Sequence, residues 1–145
     1  MKRGLIRSSW LSLCILHAFM QPANAQQGFN NLWLGGYANW AGPPWGGVDM
    51  QFSTGSLDID SISRDIGFFR TNTNITDANG NLLFSTNGTF IANATGDTLL
   101  NGTGLNPSAY TSNYPEGLAI SQACLILPKP DVPGIYYLFH GTPST

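Results

Sequence analysis

Three groups of residues have the type and spacing to do chemistry. The first is Cys124 with His140, the only cysteine and histidine after residue 25. A thiol beside an imidazole is a nucleophile and its base. Cys124, however, sits in the apolar run "ACLIL" (residues 123–127), where a thiol is expected to be an inert core group. One cysteine and one histidine are also too few ligands for a zinc site. The second group is the loop in "ITDANGNLLFSTNG" (Ile75 to Gly88). Asp77, Asn79 and Asn81 stand at alternate positions, as at the start of a calcium loop. That loop needs glycine at its sixth position and a bidentate glutamate at its twelfth. Here Gly80 is fourth and Gly88 twelfth. The expected role is therefore a turn, with Asp77 accepting backbone amides and Asn79-Gly80 accepting positive φ. Asn87-Gly88 is read as a second turn of the same kind. The third group is aromatic: Trp33, Tyr37, Trp40 and Trp45 near the start, Tyr110 and Tyr114 later. Exposed Trp and Tyr stack on sugar rings or anchor protein partners. These six are the candidate contacts to a carbohydrate or protein ligand, with ordinary packing in an aromatic-rich chain the weightier reading.

Other catalytic patterns are missing. No G-x-S-x-G nucleophile elbow occurs in the sequence. Glycoside hydrolysis needs two opposed carboxylates. Glu116 is the only glutamate, and Asp58 and Asp60 fall on one face of a single strand. The expectation is a protein that is not an enzyme, with no catalytic residue, metal or cofactor.

These residues have to be positioned by strands. "VDMQF" (residues 48–52) and the start of "LDIDSIS" (residues 57–63) alternate apolar and polar, the signature of half-buried strands. "IGFFRTNTNIT" (residues 66–76) reads as an extended run. "NITDANGNLLFST" reads as a hairpin with a five-residue loop, and "TFIANA" adds a third strand to the meander. Residues 101–117 read as a long loop, and loops of that length are often functional. "ACLIL" and "IYYLFHG" (residues 135–141) are apolar on both faces, as strands covered on both sides are. No clear 3.6-residue period follows Gln26, so almost no helix is expected. Eight or nine short strands at about ten-residue spacing suggest an all-β antiparallel sandwich, barrel or propeller.

The first 25 residues read as a secretory signal peptide. Lys2, Arg3 and Arg7 precede the apolar core "WLSLCILHAFM", and "ANA" places small residues before a cleavage point at Gln26. The apolar core is shorter than the roughly 20 residues that span a bilayer. Cys14 lies inside that core and follows a bulky Leu13, which disfavours a lipoprotein anchor. The remaining 120 or so residues carry three basic and eight acidic groups, 3 − 8 = −5. Nucleic-acid binding needs a basic footprint, so that class is excluded. With Cys124 alone, no intrachain disulfide can staple a small exported domain. Its absence points to a region held by something larger.

Several segments match a known pattern in order: "ITDANGNLLFSTNGTFI", "LLNGTGL" and "ACLILPKPDVPGIYYLF", with "NLWLGGYANW" as an opening strand. Together they resemble the amino-terminal region of large secreted Bacteroidetes β-propeller proteins, many of which carry a type IX secretion sorting domain. The resemblance runs from about Asn30 to His140. The chain departs from it in the longer "AGPPWGGVDMQF" opening and in "DVPG" after the Pro-Lys-Pro corner. The resemblance implies a partial propeller over residues 26–145, the first blade and the start of a second, with downstream blades as its partners. A propeller needs at least four blades of four strands, more than this length supplies, so a fragment is expected; a small β-sandwich is the alternative. The implied function is a secreted or cell-surface binding or scaffold role. The alternative is the non-catalytic N-terminal part of a larger secreted hydrolase. Asn74, Asn87, Asn93 and Asn101 each open an N-x-S/T sequon; given a bacterial resemblance they are read as turn and strand-edge residues.

The leader reading has a direct test. N-terminal sequencing or intact mass of the exported product is expected to place its first residue at Gln26. A product that keeps Met1, or carries lipid on Cys14, contradicts the reading.

Overall fold

A computed structural model describes residues 28, 29, 31–37, 41, 43–53 and 55–143. The expected leader and Trp40 lie outside these. The described residues form nine strands in three antiparallel sheets. β1 (Leu32–Gly35), β2 (Gly47–Ser53) and β3 (Ser56–Ile62) make the first, in chain order. β4 (Thr73–Thr76), β5 (Leu82–Thr86), β6 (Phe90–Asn93) and β7 (Thr98–Thr103) make a four-stranded meander. β8 (Cys124–Pro128) and β9 (Tyr136–His140) make a two-stranded ribbon. Among the described residues the one helix, α1 (Ala109–Ser112), is a single turn, capped by the Ser108 hydroxyl, which accepts the Thr111 amide at 3.1 Å. The fold is thus all-β and antiparallel with almost no helix, and its sheets stay open. Among the described residues no helix is long and apolar enough to cross a membrane.

Burial along β1 follows the period of two. Leu32 and Leu34 point into the core and Trp33 points out. Their core partners are Ile66, Phe68 and Ala92, with Leu82 and Phe90 packed at the margin. Burying a side chain of this size contributes about 1.5–3 kcal/mol. β1 meets β4 through asparagine amides in place of a backbone ladder. Asn74 accepts the Leu34 amide at 3.3 Å and donates to the Leu32 carbonyl at 2.8 Å. Asn72 donates to the Leu34 carbonyl. The edge of one sheet is therefore satisfied by side chains of the next. A second clamp is the fork of Arg64 on Asp49 of β2, with Nη2 to Oδ2 at 2.6 Å.

Three expectations need correction. Residues 66–72 are irregular and only Thr73–Thr76 is strand. The segment crosses between sheets, and its amides bond to neighbouring loops: Phe68 to the Gly36 carbonyl at 3.3 Å, Phe69 to the Glu116 carbonyl at 3.1 Å. Residues 101–117 are not a structureless loop, because β7 runs to Thr103 and α1 follows. β3 is not half-buried: Leu57 and Ile59 are exposed. β8 and β9, apolar on both faces as read from the sequence, are covered on one face only among the described residues. Cys124 and Ile126 are buried, whereas Leu125, Leu127, Tyr137 and Phe139 are exposed.

The Asn87-Gly88 corner, read from the sequence as a turn, is buried. Asn87 and Gly88 follow β5 into the interior, and the Asn87 side chain is fully enclosed. Its Nδ2 donates to the Gly67 carbonyl at 3.1 Å, and its Oδ1 accepts the Thr89 amide at 3.1 Å and the Thr89 hydroxyl at 2.7 Å. Its carbonyl accepts the Leu118 amide at 2.9 Å. Asn106 donates to the Gly88 carbonyl at 2.9 Å and to the Gly141 carbonyl at 3.2 Å. One corner thus ties loops from four parts of the chain.

Gly88 and Gly80 make a matched pair, with φ of 87° and 85°. A Cβ on Gly88 would lie 2.9 Å from Leu118 Cβ, whereas one on Gly80 meets its nearest atom at 3.5 Å. Gly80→Ala is expected to cost about 1–2 kcal/mol of left-handed strain. Gly88→Ala is expected to cost about 1–3 kcal/mol more, from overpacking. Denaturant unfolding checks this; equal losses contradict the account of the corner.

Candidate functional site

Three of the six candidate aromatic contacts come together. Tyr37, just after β1, packs on Phe69 with ring centroids 5.4 Å apart. Phe69 stacks on Tyr114 at 5.7 Å and 13°. Tyr114 packs on Tyr110 of α1 at 5.0 Å. The four rings form one row across the crossing segment and the α1 loop. Arg70 places its guanidinium carbon 5.5 Å from the Phe69 centroid, a cation over an aromatic face. Trp45 is 74% exposed and shares with Tyr37, Pro44 and Gly46 a cleft of about 250 Å³. Trp33 does not join the row: its ring lies 5.0 Å from Phe52 on the first sheet. Trp40 is outside the described residues.

The row depends on local bonds. The Gly117 amide bonds back to the Tyr114 carbonyl at 3.1 Å, closing the turn after α1. The Glu116 carbonyl then accepts the Phe69 amide, and Leu118, wholly buried, delivers its amide to Asn87. The loop that carries Tyr110 and Tyr114 is thereby fixed against the segment that carries Phe69. Sequence reading missed Phe69 and Arg70. The local signal was the adjacent pair Phe68-Phe69 in "IGFFR", of which a thin core can take only one ring. With Phe68 buried in the core, Phe69 faces outward.

A larger hollow of about 850 Å³ lies between β1, β4 and β8, lined by Trp33, Met50, Arg70, Asn74, Gln122 and Leu125 among others. Its two asparagines are already committed to the β1 backbone.

The other chemical candidates fall into place. Cys124 and His140 stand directly opposite each other on β8 and β9. Burial pushes the Cys124 thiol up to about 11. It is therefore protonated at neutral pH, and a thiol is not the nucleophile that a thiolate is. Asp58 and Asp60 lie on one face of β3, opposite Gln51 and Asp49. Among the described residues no group of three or more His, Cys, Asp or Glu could hold a metal.

The "DANGN" loop is a closed hydrogen-bonded turn. Asp77 Oδ1 accepts the Asn79 and Asn81 amides at 2.8 and 2.9 Å, and the Gly80 amide bonds to the Asp77 carbonyl at 3.0 Å. The loop "NATGD" (residues 93–97) between β6 and β7 repeats it. Asn93 Oδ1 accepts the Thr95 and Asp97 amides at 3.0 and 2.9 Å, and Gly96 bonds to the Asn93 carbonyl at 3.2 Å. The acid leads in the first loop and ends the second. In a meander both loops fall at the same end of the sheet.

No family model, curated protein or solved structure matches this chain. The functional reading therefore rests on the geometry.

Both loop carboxyls are held below the ordinary value of 3.8. For Asp77 the main cause is the hydrogen bond from the Asn81 side chain; for Asp97 it is that from Thr95. A carboxyl whose folded value is lowered adds stability above its unfolded value and loses it as pH falls through the folded one. Melting temperature is expected to drop as pH is taken below about 3.8. The drop is expected to be shallower in the double variant Asp77→Asn, Asp97→Asn. An identical acid profile for the two proteins contradicts this.

Proposed function

We propose that this chain is a secreted or cell-surface binding region, without catalysis of its own, within a β-propeller protein. The observation that carries the binding role is the aromatic row with Trp45 beside it. Ring faces and hydroxyls gathered at a surface, with a guanidinium alongside, suit stacking on sugar rings. Carbohydrate is the ligand class this composition favours, and a protein surface is the second. The faces left free are those of Trp45 and Tyr37, both exposed, because the inner rings cover one another.

The propeller reading draws on the meander β4–β5–β6–β7. A four-stranded antiparallel meander is what one blade consists of. In this reading β8 and β9 belong to a neighbouring blade. Their bare face of Leu125, Leu127, Tyr137 and Phe139, with Ile135 just before β9, is then covered by further strands. An exposed apolar face of this kind marks an interaction site or an aggregation hazard. The signal peptide read in the first 25 residues supplies the route to the outside.

A glycan array probed with the protein, followed by calorimetry on the best ligand, tests the binding role. Trp45→Ala and Tyr37→Ala are each expected to weaken binding about tenfold, equivalent to about 1.4 kcal/mol. Trp45→Ala is expected to leave the melting temperature unchanged, since that ring is mostly in solvent. Binding that is indifferent to both substitutions removes the role from this surface.

A further inference from the structure

β3 is the outer strand of the first sheet, seven residues long, and among the described residues no strand pairs with its free edge. An outer strand with no further strand beside it is a template for another strand. Its register on β2 fixes what each face shows. Leu57 stands opposite Phe52, and Ile59 opposite Met50, which is itself opposite Trp33 of β1. Directly opposed residues share a face. One face of the sheet is therefore apolar, and Trp33, Leu57 and Ile59 on it are 55%, 50% and 63% exposed. On the other face Asp58 and Asp60 stand opposite Gln51 and Asp49. Asp49 is neutralised by Arg64, while Asp58 and Asp60 face solvent.

This pattern selects among occupants. In an antiparallel pairing of two copies centred on Ile59, Asp58 of each copy stands opposite Asp60 of the other. Like charges directly opposite are destabilising, so the edge works against a second copy of itself. A strand with basic residues at alternate positions meets the reverse situation. Its lysines or arginines lie beside Asp58 and Asp60, and its intervening apolar side chains extend the face of Leu57, Ile59 and Trp33.

We propose that β3 accepts an added strand from a partner protein whose segment alternates Lys or Arg with apolar residues. Main-chain hydrogen bonds supply the affinity and the alternating side chains the specificity, as in other strand-addition complexes. This surface is separate from the aromatic row and does not depend on the carbohydrate reading.

The probe is a short capped peptide that alternates Lys and Val. Two controls accompany it: the same residues in block order, and a peptide that alternates Glu and Val. Binding to the full chain is followed by fluorescence anisotropy, and amide exchange of β3 is read by NMR. The alternating Lys/Val peptide is expected to bind more tightly than either control, to weaken as salt is raised, and to slow exchange along Ser56–Ile62. The double variant Asp58→Lys, Asp60→Lys tests the charge argument, since both side chains project into solvent and the fold does not rely on them. It is expected to exchange the preference, favouring the Glu/Val peptide. No binding of the Lys/Val peptide, equal binding of the block peptide, or a preference that the charge reversal leaves unchanged each overturns the proposal. Sedimentation supplies one more check: a dimer of the chain that protects β3 would overturn it too.

Discussion

The buried amide of Asn87 is the constraint on which the rest of this structure depends. It sits where β5 ends, and it satisfies backbone groups from segments that have no ladder of their own: the Gly67 carbonyl and the Thr89 amide. The carbonyl of the same residue takes the Leu118 amide. Burial without partners would cost each such group about 1–3 kcal/mol. Only the left-handed Gly88 lets the chain turn inside the protein at this point, against Leu118. The corner therefore does for the irregular segments what the sheets do for the strands. The crossing segment with Phe69 and the α1 loop with Tyr110 and Tyr114 converge on it, and the aromatic row is the outward face of that convergence.

Asparagine carries much of this work. Asn72 and Asn74 close the edge of β1, Asn106 joins the corner to Gly141, and Asn93 closes its own loop. With few ionic side chains available, the chain satisfies its backbone with neutral amides. The ion pair of Arg64 with Asp49 fastens β2 to the start of the crossing segment. Such a scaffold leaves its apolar surfaces unevenly covered. One buried cluster joins β1, the crossing segment and the inner side of the meander, and β8 adds Cys124 and Ile126, while the faces that carry Leu57 and Ile59 and those that carry Tyr137 and Phe139 are left to solvent.

What was legible in the sequence is what short range determines. The hairpin from Thr73 to Thr86 follows from Asp77, Gly80 and the alternation around them, and its five-residue loop lies where the sequence places it. The all-β character follows from turn residues at short intervals. The row was only half legible, because Tyr37, Phe69 and Tyr114 meet across distant parts of the chain and no local pattern encodes that meeting. The burial of Asn87-Gly88 was hidden for the same reason: an Asn-Gly pair has one local preference whether it faces water or Leu118. The failure at β3 is different in kind. Alternation of Leu57, Asp58, Ile59 and Asp60 reports a strand with two unlike faces, but it does not say whether anything covers the apolar one.

The claim that the Asn87 corner holds the loops and the aromatic row together is tested most directly by native-state hydrogen exchange. Amides bonded across the corner, Leu118 and Phe69, are expected to exchange only with global unfolding, at the same free energy as the β5 ladder. In Asn87→Ala both are expected to exchange by local opening while β5 stays protected. Fast local exchange of Leu118 and Phe69 in the unmodified protein, with β5 still protected, would contradict the account.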